Sequence, residues 1–183
     1  MKKELFSIPN LMGYFRILML PVFLMWYHQA DTPREFGAAF ALLAVIFLSD
    51  ALDGFVARKF NMVTSFGKIL DPVADKLVQG TLALAVSFRH SWMKVFLAIF
   101  LIKEVYMGAM GMYLLRAKHS LNGARWYGKL CTAVADSGIL ILLFLPKLPA
   151  DISNIMILCM IGVELFTIGM YLKFHFGILR EKH

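Results

Sequence analysis

Six apolar stretches, each close to the length needed to cross a bilayer as a helix, govern what this chain can become. They run over Leu11–His28, Phe36–Val56, Ile69–Phe88, Trp92–Leu115, Leu130–Leu145 and Ile152–Phe174, with short polar links between them. About twenty apolar residues wound as a helix cross the ~30 Å hydrocarbon core, and a helix satisfies its own backbone groups without water. The pattern predicts an all-α integral membrane protein, with six transmembrane helices in a single domain over residues 1–183. A hydrophobic share of 60% and a mean hydropathy of +0.69 lie beyond the usual range of a soluble domain. Ahead of the first span, Met1 to Ile8 alternates Lys2 and Lys3 with Leu5, Phe6 and Ile8, a short amphipathic segment suited to the membrane surface. Pro9 and Asn10 then read as a helix start with Asn10 as its cap. No small-residue cleavage site follows the first apolar run, so no cleavable signal peptide is expected.

The net charge of +7 could suggest nucleic acid. The basic residues, however, fall in short loops between apolar runs, which makes anionic head groups and phosphorylated substrates the better partners. Their distribution also orients the chain. Arg58, Lys59 and Lys68 follow span two; Arg116, Lys118, Arg125 and Lys129 follow span four; Lys173, Arg180 and Lys182 end the chain. On the other side Arg34, Arg89, Lys94 and Lys147 are offset by Asp31, Glu35 and Asp151. Both termini, and the acidic stretch described next, are therefore expected at the cytoplasmic face of the cell membrane. Cys131 and Cys159 lie within apolar segments and read as reduced packing residues.

The chemistry concentrates in DALDGFVARKFNMVTSFGKILDPVADK, from Asp50 to Lys76. Asp50 and Asp53 are three apart, and Asp71 and Asp75 are four apart, both same-face spacings on a helix. One pair ends span two and the other opens span three, so both sit at the same membrane side. Four clustered carboxylates repel one another unless cations join them, and a set of hard oxygen ligands suits Mg²⁺, Mn²⁺ or Ca²⁺. Gly54 and Gly67 permit close approach by a ligand or another backbone, and Arg58 is a fixed cation able to grip phosphate. Acid, metal and arginine together point to a phosphorylated substrate. A divalent-cation carrier could also place aspartates in its spans, but it does not require Gly54, Arg58 and Gly67 at fixed offsets.

Written as Asp-x2-Asp-Gly-x2-Ala-Arg-x8-Gly-x3-Asp-x3-Asp, this stretch resembles, without a break, the signature of the CDP-alcohol phosphotransferase family. IPNLMGYFRILMLPVF is similar to the opening helix of the branch of that family that makes phosphatidylglycerophosphate, and LDPVADK is similar to that branch and to the related cardiolipin synthases. The resemblance implies transfer of a phosphatidyl group from CDP-diacylglycerol to an alcohol with release of CMP, by an enzyme that works as a homodimer among membrane lipids. It implies glycerol 3-phosphate as the acceptor, with a cardiolipin synthase using phosphatidylglycerol as the alternative. By the same resemblance Asp50, Asp53, Asp71 and Asp75 bind Mg²⁺ or Mn²⁺, and Asp75 is also the general base. Asn10, Gly54, Arg58, Thr64 and Gly67 match the donor side.

Glycerol 3-phosphate carries a dianionic phosphate, so its site calls for further cations: Lys103, Arg116, Arg125 and Lys129. Lys129 leads, because Gly128-Lys129 followed by Thr132 is similar to the start of the family's fifth helix. Lys103 and Glu104 lie deep in span four, where unpaired charge is costly, and read as functional or as part of a buried ion network. Asp136 and Glu164 read as structural partners for basic residues. Arg16, alone in span one, reads as snorkelling to the head groups. The five histidines show no metal-ligand spacing.

Overall fold

The computed structural model describes residues 7–60, 62, 64, 66–116 and 125–180. Residues 1–6 of the amphipathic segment expected over Met1 to Ile8, and the cations Lys118 and Lys182, lie outside them. Six helices make up the described chain: α1 Ile8–Gln29, α2 Pro33–Lys59, α3 Gly67–Ser87, α4 Trp92–Arg116, α5 Trp126–Phe144 and α6 Ala150–Arg180, with no strand among the described residues. Five of them, all but α3, are long and apolar enough to cross a membrane. The first ten residues of α3 carry Lys68, Asp71, Asp75 and Lys76, which lower its hydropathy while leaving its 21 residues long enough to span. Large side chains left exposed, such as Leu18, Ile102 and Val105, are apolar, as a lipid-facing surface requires.

Two compact units divide the chain, residues 1–85 and 86–183. In the first, α1 and α2 pack as a hairpin. Thr32 caps α2: its hydroxyl accepts the Glu35 N–H, and Glu35 Oε2 accepts the Thr32 N–H at 3.0 Å, with Pro33 opening the helix. This double cap turns the chain sharply. Tyr27 near the end of α1 therefore meets Phe36 near the start of α2, with ring centroids 5.7 Å apart. Antiparallel pairing brings the beginning of α1 beside the end of α2, where Asp50 and Asp53 lie. Buried Leu20, Phe23, Leu43 and Ile46 fill the space between.

In the second unit α6 packs against both α4 and α5. Phe96, Phe100, Ile139, Leu142, Leu143 and Ile157 are buried. Helices α5 and α6 come so close at Gly128 that any Cβ there would run into the Tyr171 hydroxyl. The Tyr127 and Tyr171 rings meet edge to face at 4.7 Å beside it.

Candidate active site

Three of the four expected aspartates converge on one cation, and that cation is Arg16. Its Nη2 lies 2.5 Å from Asp50 Oδ1 and also contacts Asp53 Oδ2, while Nη1 donates to Asp75 Oδ1 at 2.9 Å. The side chain is 1% exposed. The snorkelling expected of Arg16 is therefore corrected: it points inward to the carboxylates rather than outward to head groups. The physical reason is visible in hindsight. A guanidinium keeps its charge even when buried, so it must find anions, and the hairpin places the acidic end of α2 beside it. Nothing in the local sequence reveals that match, because the partners are 34 to 59 positions away.

The four aspartates are not equally buried. Asp53 is enclosed, whereas the Asp50 and Asp75 side chains are about half exposed, at 49% and 59%. Asp71 lies one helical turn before Asp75 on α3 and is exposed. The donor set is chemically suited to a hard divalent cation, since carboxylate oxygens from two helices already surround a positive charge. As the side chains stand, they are spread around the guanidinium. Among the described residues no three His, Cys, Asp or Glu are arranged to hold a metal ion.

Beside this cluster, Asn10 and Thr64 form a second knot. Thr64 Oγ1 accepts the Gly67 N–H at 2.9 Å and Asn10 Nδ2 at 3.3 Å, and the Thr64 carbonyl accepts the Lys68 N–H. Thr64 thus satisfies two of the N–H groups that the start of α3 leaves open. Asn10 does not cap α1, as its sequence position suggests. Ser7 precedes the helix, and Asn10 lies buried within it, reaching across to Thr64. Gly67 has a packing reason: a Cβ there would stand 2.9 Å from Asn10 Oδ1 and 3.0 Å from Thr64 Oγ1. Arg58 is exposed at the end of α2 and folds back over Gly54, where a Cβ would meet the guanidinium at an ordinary 3.7 Å. An open apolar groove bordered by Leu11, Met12, Phe15, Val45, Leu48 and Leu52 runs along α1 and α2 next to Asp50 and Asp53.

The expected acceptor residues belong to the second unit. Lys103 is buried and stands 2.9 Å from Glu164 Oε2 and 3.2 Å from Glu104 Oε1, with Cys131 Sγ at 3.6 Å. It is part of a buried ion network, and Glu164 is its partner. Arg125 lies over the Phe174 ring, 3.6 Å from its centroid. Lys129 and Arg116 are exposed. His175, given no role from sequence, is hydrogen-bonded to the Tyr106 hydroxyl at 2.7 Å through Nδ1.

Comparison with known proteins extends the likeness across both units. The model of the CDP-alcohol phosphatidyltransferase family matches residues 6–173. The chain is 32% identical over 172 residues to the CDP-diacylglycerol–glycerol-3-phosphate 3-phosphatidyltransferase of Escherichia coli (strain K12), covering 92% of this chain and 94% of that protein. It is 32% identical over 170 residues to the protein of the same name from Shigella flexneri serotype 5b, covering 91% and 88%.

Proposed function

Since the chain belongs to the CDP-alcohol phosphatidyltransferase family, we propose that it transfers a phosphatidyl group from CDP-diacylglycerol to glycerol 3-phosphate, forming phosphatidylglycerophosphate and CMP. The observation that carries this reading is the convergence of Asp50, Asp53 and Asp75 on one buried cation, with Arg58 folded over Gly54 and an apolar groove along α1 and α2. Asp50, Asp53, Asp71 and Asp75 would hold Mg²⁺ or Mn²⁺, which when bound offsets the negative charge developing on departing CMP.

The chain's own residues account for the rest. The acceptor hydroxyl oxygen attacks the phosphorus of the phosphatidyl group, and the bond from that phosphorus to the bridging oxygen of CMP breaks. Asp75 takes the hydroxyl proton. Its side chain is 59% exposed and so open to an entering alcohol, and the Arg16 guanidinium holds one of its oxygens at 2.9 Å. Arg58 pairs with the donor pyrophosphate in this reading, which its exposure at the end of α2 supports. The groove along α1 and α2 offers an acyl chain of the donor an apolar course beside the reacting end. Lys129, exposed near the start of α5, supplies positive charge for the acceptor phosphate. The site faces the cytoplasm in this reading, and the working form is a homodimer.

The deciding experiment incubates purified protein with CDP-diacylglycerol, Mg²⁺ or Mn²⁺ and a panel of alcohols, and identifies the lipid formed. Phosphatidylglycerophosphate with stoichiometric CMP is the expected product. Faster turnover with phosphatidylglycerol would reassign the chain as a cardiolipin synthase, and failure to release CMP with any alcohol would refute the transferase reading.

A further inference from the structure

Among the described residues of the first unit Arg16 is the most completely buried cation, and it occupies the place where the carboxylates meet. Its two terminal nitrogens serve Asp50 and Asp53 from α2 and Asp75 from α3, while its Nε is buried with no hydrogen-bond partner among the described residues. One guanidinium against three carboxylates leaves this set at two negative charges, and exposed Asp71 adds a third. The charge is only partly balanced, so a divalent ion is still attracted. The oxygens it would use, however, are already in contact with Arg16.

We propose that Arg16 is a resident cation that holds the aspartates together in the metal-free protein and competes with the divalent ion for them. Binding of the ion then requires the guanidinium to give up at least one carboxylate, because two cations packed against the same oxygens repel each other. The half-exposed partners, Asp50 and Asp75, can turn outward to an entering ion, whereas enclosed Asp53 cannot and keeps Arg16 anchored. Arg16 thereby serves as a positioning residue. It ties α1 to α2 and α3 before any ion arrives, and it sets how tightly the ion is held. The unpartnered Nε–H gives the guanidinium one further donor for the contacts it adopts once released.

The test reads metal binding directly, on the full purified chain in detergent and without lipid substrates. Mn²⁺ is titrated by electron paramagnetic resonance into wild type, Arg16→Gln and Arg16→Lys, and thermal unfolding is followed in chelator and in saturating Mn²⁺. Loss of a charge-assisted competitor should tighten Mn²⁺ binding about ten- to a hundred-fold in Arg16→Gln. Arg16→Lys, with a single ammonium that cannot span three carboxylates, should fall between. Arg16→Gln should also lose more thermal stability in chelator than in Mn²⁺, since the ion restores the tie. Mn²⁺ affinity equal to or weaker than wild type in the variants would overturn the proposal. If Arg16→Gln fails to fold, Arg16→Lys decides alone by the same criterion. The identity of the acceptor alcohol does not enter this measurement, so its outcome is separable from that of the proposed reaction.

Discussion

Arg16 Nη1 lies 2.9 Å from Asp75 Oδ1, a bond from α1 to α3 across 59 positions of sequence. It gives the proposed base a positive neighbour in the metal-free protein while leaving its side chain open on the other side. Asp75→Asn keeps an oxygen for Arg16 but cannot take a proton. Turnover should fall by on the order of 10²–10⁴-fold, the usual contribution of a positioned base, with little change in melting temperature. Near-normal turnover in added Mg²⁺ would remove Asp75 from that role.

Asp50→Asn, Asp53→Asn and Asp71→Asn should each abolish most turnover as well. Residues acting as one unit are non-additive, so a double variant should cost little more than a single one. Initial rates of CMP release from single and double variants check this, and full additivity would mean that the aspartates act independently.

Lys103 and Glu164 offer a test of stability rather than turnover. Glu164 is 1% exposed, and removing one partner of a buried ion pair costs about 3–5 kcal/mol. Glu164→Leu should therefore unfold at markedly lower denaturant, and Lys103→Met combined with Glu164→Leu should recover a large part of the loss. A double variant as unstable as the sum of the two singles would show that the pair does not act as a unit.

The proposed reaction has Lys129 facing the acceptor phosphate. Lys129→Ala should raise KM for glycerol 3-phosphate by about ten- to a hundred-fold, the worth of one charge-assisted contact, and leave KM for CDP-diacylglycerol unchanged. Steady-state kinetics with each substrate varied in turn make the distinction. A rise confined to the donor would move Lys129 to the nucleotide side.

Sidedness is assigned from loop charge. Cysteines replacing Thr32 and Ala150 should react with impermeant thiol reagents on intact cells, and one replacing Arg125 should be shielded. Labelling in the reverse pattern would place the aspartates on the outer face.

Helix number and approximate limits were legible because apolar length is a local property: Phe36–Val56 was expected where α2 runs Pro33–Lys59. The partnership of Glu164 with a basic residue was legible for a related reason, since a buried acid must find a cation somewhere. Which cation it finds is a matter of packing, and Lys103 lies 61 positions away. The same limit hid Arg16 inside the carboxylate cluster and Asn10 against Thr64. Gly67 could be recognised as a place of close approach. That the Asn10 side chain stands against it depends on how α1 lies against the start of α3.

The charged opening of α3 bears on how the protein is made. Each charged side chain at the centre of an inserting helix opposes entry into the bilayer by about 2.5–3.5 kcal/mol; α3 carries four charged residues within its first ten, of which Asp75 and Lys76 stand near its centre. Arg16 and the acidic end of α2 leave the ribosome first, so a counter-charge is already in the membrane when Asp75 arrives. Insertion of α3 is thus a cooperative act of the growing chain rather than a property of its own hydropathy. In an engineered-glycosylation insertion assay, α3 placed alone in a host protein should integrate poorly. The same helix preceded by its native α1 and α2 should integrate well, and less so when Arg16 is replaced by leucine.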